Sequence, residues 1–132
     1  MTVNSDINKE ILACKGVLKK YSDGTLHFSK EEGPTKSTPE GTKELYDTII
    51  AVQKGEKSPI ILSLKGLTEI EMDCRMFLMN SLPDISTSIA FVIDDNPITR
   101  SQFNMSSYLR QKTIPIEFFH SDEDAFNWIS SL

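Results

Sequence analysis

The residues of this 132-residue chain best suited to chemistry are two histidines and a cluster of oxygen-bearing side chains. His120 follows one predicted strand, and Asp94 and Asp95 follow the strand before it. An imidazole oriented by a carboxylate can act as a general base. No Ser or Cys in a recognisable nucleophile context accompanies them, and these acids fall where helix caps are needed, so capping accounts for them without catalysis. His27 lies within another predicted strand and reads as a sheet-surface residue. Asp94, Asp95 and Asn96 are adjacent and lack further spaced ligands, a poor match to a Mg²⁺ or Ca²⁺ site. There is no P-loop and no Gly-x-Gly-x-x-Gly phosphate cradle. Cys14 and Cys74 sit in different predicted elements without metal-ligand spacing, and are expected as reduced, buried thiols. The expectation is a non-enzymatic protein with no catalytic residue, metal or cofactor.

The elements that position these groups are organised around Pro59 to Arg75, a strand that turns directly into a helix. Ile60, Ile61, Leu62 and Leu64 form a near-continuous apolar run, the pattern of a central strand covered on both faces. Lys65-Gly66-Leu67-Thr68 is then a turn, and Thr68 with Glu71 spells a capping box for a helix over 68–82. Upstream, Met1 to Lys9 is mostly polar, so 1–10 reads as a flexible terminus before a single domain over 11–132. Ile11 to Tyr21 and Thr25 to Ser29 read as strands joined by a Ser22-Asp23-Gly24 hairpin turn. Lys30 to Thr38 has no periodicity and reads as an exposed connection. Thr38-Pro39 opens a helix whose Leu45, Ile49 and Val52 share one face and which stops at Gly55.

Downstream, Pro83 ends the 68–82 helix and Ser88 to Ile93 is a second buried strand. Asp94 to Pro97 starts a helix to about Arg110. Ile114 to Phe119 contains Pro115 and suits a sheet edge. Ser121 to Asp124 caps a last helix, with Ala125, Trp128, Ile129 and Leu132 on one face. Strand, strand, helix and three strand-helix units imply an α/β fold with about four helices. Its single mixed sheet opens with an antiparallel hairpin and continues in parallel.

Charge narrows the function classes. The net charge is −5, and it is uneven: residues 1–65 carry ten Lys against nine acids, residues 66–132 four Lys and Arg against ten acids. An acidic half without a basic stripe argues against nucleic acid and against docking on anionic lipid. The longest apolar run, Ile89 to Ile93, is far too short to insert in a membrane, and no signal peptide opens the chain, so the expected location is cytoplasmic.

The helix expected over 68–82 carries two apolar stripes, Ile70, Cys74 and Phe77, and Met72, Met76 and Met79, on nearly opposite sides. Only one can face the sheet. The other is either wrapped into the core edge or a Met-rich contact surface, adaptable because thioether chains repack easily.

With Pro-Ile-Ile-Leu-Ser-Leu-Lys-Gly-Leu-Thr before that helix, and Ile-Pro-Ile-Glu-Phe-Phe-His-Ser-Asp-Glu-Asp-Ala-Phe-Asn-Trp-Ile at the end, the chain resembles the STAS domain. That is the fold of bacterial anti-sigma-factor antagonists, and the second segment is similar to small stand-alone bacterial STAS-like proteins without an assigned activity. The resemblance implies a regulatory interaction surface at the start and exposed side of the helix. Regulatory members carry a phosphorylated Ser in an Asp-Ser-Ser-Gly type segment there. Here Glu69-Ile70-Glu71-Met72-Asp73-Cys74 has no Ser, and added phosphate would be repelled by its acids. The expectation is therefore a protein partner or a homodimer held through Met72, Met76 and Met79, with Glu69, Glu71, Asp73 and Arg75 setting polarity at the rim. The alternative is a small apolar or lipid-like ligand beneath the same helix, among Met72, Met76, Phe77 and Phe103, because CRAL-TRIO lipid carriers share a distantly similar pattern.

Overall fold

The computed structural model describes residues 5–11, 15–31, 35–36, 38–69, 72–94 and 114–132. Six strands form the main sheet: β1 (Ser5–Ile11), β2 (Gly16–Tyr21), β3 (Leu26–Lys30), β5 (Ser58–Ser63), β7 (Ser86–Val92) and β8 (Ile116–Phe119). They lie side by side in that order. The first two pairings are antiparallel and the remaining three parallel, so β5 is central and β8 closes one edge, as the apolar run and Pro115 predict. A second, two-stranded parallel sheet pairs β4 (Thr35–Lys36) with β6 (Leu67–Glu69). Three α-helices lie among the described residues: α1 (Pro39–Gln53), α2 (Met72–Ser81) and α3 (Asp122–Ser131). The helix expected to end near Arg110 falls outside them.

Local chemistry explains most boundaries. In the β2–β3 turn, the Asp23 carboxylate accepts from the Thr25 N–H at 2.9 Å and Gly24 takes φ +94°. The Thr38 hydroxyl accepts from the Gly41 N–H at 3.1 Å to cap α1, with Pro39 in its first turn. Lys54 and Gly55, both at positive φ, end that helix. Ser121 caps α3 by accepting from the Asp124 N–H at 3.1 Å. Gly16 has a packing role, because a Cβ there would strike the Phe28 ring and lie 2.7 Å from the Ser29 carbonyl oxygen.

Three sequence expectations need correction. Residues 5–10, read as part of a flexible end, join Ile11 to form β1 along β2. The pairing rests on main-chain hydrogen bonds, which need no apolar alternation, and charged side chains such as Lys9 and Glu10 are usual on an edge strand. Ile11 accordingly ends β1 rather than opening the next strand, which starts at Gly16 after Lys15 at φ +51°. Lys30 to Thr38 is not wholly a connection, since Thr35 and Lys36 pair with Leu67 and Glu69. That pairing draws Thr68 into a strand, so Thr68 is not the cap of the following helix, and α2 starts only at Met72.

The core has two unequal parts. Leu18, Leu26, Phe28, Ile60, Leu62, Ile89 and Phe91 face α1 and α2 in one continuous apolar cluster. Ile61, Ala90 and Val92 face Ala125 and Ile129 of α3 in a smaller one. A buried amide locks the larger side: Gln53 at the end of α1 donates to Ser58 Oγ at 2.9 Å and to the Ile85 carbonyl at 2.7 Å. Ile85 ends the 3₁₀ turn Leu82–Ile85 that follows α2, where Pro83 was expected to stop the helix.

Candidate functional site

Two places combine exposure or strain with chemical groups. The first is a groove of about 390 Å³ between the N-terminal halves of α1 and α2. Pro39, Thr42, Tyr46, Cys74 and Phe77 make it largely apolar, and Lys43, Asp47 and Asp73 bring charge. The volume falls within the usual range of small-molecule sites, roughly 300–1,000 Å³. Tyr46 and Phe77 meet edge to face across it, ring centroids 5.0 Å apart.

The orientation of α2 follows from its burial. Cys74, Leu78 and Leu82, at i, i+4 and i+8, are buried, whereas Met72 is 66% exposed. The inward stripe is thus rotated relative to the sequence expectation, in which Leu78 had no part and Phe77 was core. Phe77 is half-buried and lines the groove. At about 100° per residue, Asp73 and Phe77 fall between the buried stripe and the side bearing Met72 and Met76. Met76 is half-buried, so of these two methionines Met72 is the one placed for contact. Asp73 is exposed at the groove. Glu69 belongs to β6 and Arg75 and Met79 to α2, with side chains outside the description. Glu71 and Phe103 lie outside the described residues. The structure therefore brings Asp73 and Phe77 of the predicted sets to one groove, adds Thr42, Tyr46 and Cys74 from its floor and walls, and leaves Met72 outside its lining.

The second place was not anticipated. His27 is only 6% exposed, on the sheet face under α3, rather than at the surface. The Phe126 ring packs on it at 5.1 Å and the Tyr21 ring lies 6.4 Å away. Its Nε2 stands 3.6 Å from Asp122 Oδ2 and 3.4 Å from Ser29 Oγ. The imidazole facing Asp122 is the largest cause of a carboxyl pKa below its ordinary 3.8; burial opposes the shift, while Ser63, the His27 charge and Lys65 reinforce it. Burial, and secondarily the Asp122 charge, pushes the Tyr21 phenol up.

Asp, His and Ser so close together invite comparison with a hydrolytic triad. In a triad the carboxylate holds one imidazole nitrogen and the nucleophile the other. Here both approach Nε2, and Nδ1 has no hydrogen-bond partner, nor has Asp122 Oδ1. No relay from carboxylate to hydroxyl runs through that ring. The signal available in the sequence was the neighbourhood of His27: it stands between Leu26 and Phe28 in a strand next to the central one, where both faces are covered.

The pairing first considered for catalysis is occupied with structure. Asp94 Oδ2 accepts from the Gly66 N–H at 2.6 Å, fixing the turn after β5 at φ +85°. His120 is exposed, with Nδ1 3.2 Å from the Ile93 carbonyl oxygen. Asp95 and Asn96 lie outside the described residues. Among the described residues no three His, Cys, Asp or Glu side chains gather as a metal site, and no helix is long and apolar enough to cross a membrane. Cys74 is a buried free thiol; Cys14 lies outside the description.

Residues 20–132 match a domain family of unknown function, DUF7793. The chain belongs to that family. No curated protein matches it. Among solved structures it is similar to an uncharacterised protein of the DUF3478 family from Shewanella loihica PV-4, described as having a SpoIIAA-like fold. The TM-score is 0.62 over 97% of this chain and 99% of that one, at 13% sequence identity. The likeness establishes the STAS-like fold of this DUF7793 chain, and at such identity it speaks to fold alone.

Proposed function

We propose that this DUF7793 chain is a non-enzymatic interaction domain of the bacterial cytoplasm that binds a protein partner through α2 and the groove beside it. The observation that carries the reading is an apolar groove of about 390 Å³ flanked by Met72, a large apolar side chain 66% exposed at the first position of α2. Burying one such side chain on association contributes about 1.5–3 kcal/mol, and well-packed apolar anchors of this kind dominate interface energetics. The non-enzymatic part of the reading is supported by His27, Asp122 and Ser29 not being arranged as a triad.

The test is a photo-crosslinking amino acid at position 72, with position 56, exposed beyond the far end of α1, as control. Crosslinking in the source cells should give one discrete adduct from position 72 and none from position 56. A dimer of the chain would identify the partner as a second copy. Equal labelling at both positions, or none at 72, refutes the reading. The groove volume favours a second reading, a small apolar ligand beside Phe77. Native mass spectrometry separates the two, because a monomer carrying a stoichiometric small-molecule adduct is expected only of the ligand reading.

A further inference from the structure

We infer that the segment entering the α1–α2 groove is cationic, an apolar anchor side chain flanked by Lys or Arg; this rests on the interaction reading and specifies its partner. The groove presents apolar walls under an acidic rim. Lys43, the one cation among its described lining residues, is already committed, with Nζ 2.8 Å from Asp47 Oδ2. Asp73 is exposed at the opposite wall and forms no ion pair with another described side chain. Glu40, exposed and one turn before Lys43, adds another carboxylate on the side of α1 that carries Asp47. Ile50, 42% exposed, continues the groove side of α1 one turn past Tyr46 and lengthens the apolar strip.

From Pro39 to Ile50 that strip runs roughly 16 Å along α1. About three turns of a partner helix would cover it. A rim with an excess of carboxylates around an apolar strip selects against acidic segments as well as attracting basic ones, since like charges brought together on docking are unfavourable. The whole chain carries −5, so general attraction of any cation has to be separated from recognition at Asp73.

The experiment uses the full chain and three fluorescent amphipathic peptides with identical Leu positions and with Lys, Gln or Glu at all polar positions, followed by anisotropy at two salt concentrations. The Lys peptide should bind about tenfold or more tightly than the Glu peptide, with the difference shrinking in salt. Asp73→Asn should weaken the Lys peptide about three- to fivefold. Asp84→Asn, the same charge change roughly 16 Å further along the chain's helical axis, should leave it unchanged. Tyr46→Ala should weaken all three peptides, and Ile50→Asp, on the surface, supplies the same readout should Tyr46→Ala unfold.

If the three peptides bind alike and all are weakened by the groove variants, the groove reading stands and the cationic inference is overturned. Lys-peptide binding reduced equally by Asp73→Asn and Asp84→Asn and untouched by Tyr46→Ala would be attraction to the acidic chain, overturning the inference and weighing against the groove as well. No binding by any peptide overturns the inference alone, because the crosslink at position 72 reports on the groove independently.

Discussion

The two faces of the main sheet are built on different terms. The face under α1 and α2 is closed chiefly by aliphatic and aromatic side chains, from Leu18 and Leu26 through Ile60 and Leu62 to Ile89 and Phe91, and its buried Gln53 amide donates to two partners. The face under α3 has a small apolar patch of Ile61, Ala90, Val92, Ala125 and Ile129, and beside it a buried corner where His27 and Asp122 each keep a nitrogen or oxygen without a partner. Apolar burial is indifferent to pH and is disturbed by changes of volume. A half-satisfied polar corner depends on the protonation of Asp122 and loses little when its members are replaced together by apolar groups. The larger face carries most of the apolar core, and the smaller one holds the last helix through fewer apolar contacts beside a partly exposed carboxylate.

The most severe test of that contrast is Leu62→Ala. The side chain is fully buried, and its loss should cost about 2–5 kcal/mol, read as a lowered urea midpoint at constant slope. A cost below 1 kcal/mol would mean the larger face is no better packed than the smaller. Gly16→Ala comes next. The added methyl meets the Phe28 ring and the Ser29 carbonyl, and about 1–3 kcal/mol of overpacking is expected by the same measurement.

The polar corner should respond to pH. The Asp122 pKa is depressed in the folded state, so its contribution is fully present above the ordinary 3.8 and disappears as pH falls through the lower folded value. The stability difference between wild type and Asp122→Asn should therefore shrink as urea titrations are taken from neutral pH to below 3.8. A difference that stays constant to the lowest pH would remove the carboxylate from the account. The smallest effect is expected for His27→Leu, within about 1 kcal/mol of wild type at neutral pH. Losing an unpartnered ring nitrogen offsets losing the contact to Asp122, which is partly solvated and can hydrate again.

The same contrast explains what could be read from the chain. Ile60 to Leu64 and Ile89 to Ile93 are apolar runs whose burial does not depend on a neighbour's identity, and with Thr38-Pro39 and Ser121 to Asp124 they were enough for the α/β class, the single mixed sheet with its central strand, and two of the three described helices. β1 escaped because an edge strand is held by its backbone and needs no side-chain pattern. The start of α2 was misplaced because Leu67 to Glu69 is claimed by a partner thirty-odd residues earlier, at Thr35 and Lys36. Half of the groove was legible, since Phe77 and Asp73 belong to the helix singled out from the sequence. Pro39, Thr42 and Tyr46 were not, because the crossing of two helices decides which side chains face each other and no periodicity within one helix encodes it.

Gln53 gives the groove a mechanical character. Its amide fastens the end of α1 to the start of β5 and to the turn after α2, so the two helices are riveted at the end remote from the opening. Any guest that spreads Tyr46 from Phe77 must then swing the helices about that rivet, as the jaws of a clothes peg turn about its spring. A displacement forced at Asp73 would be felt as torque at Ser58 and Ile85, and an occupied groove would report itself at the opposite pole of the molecule.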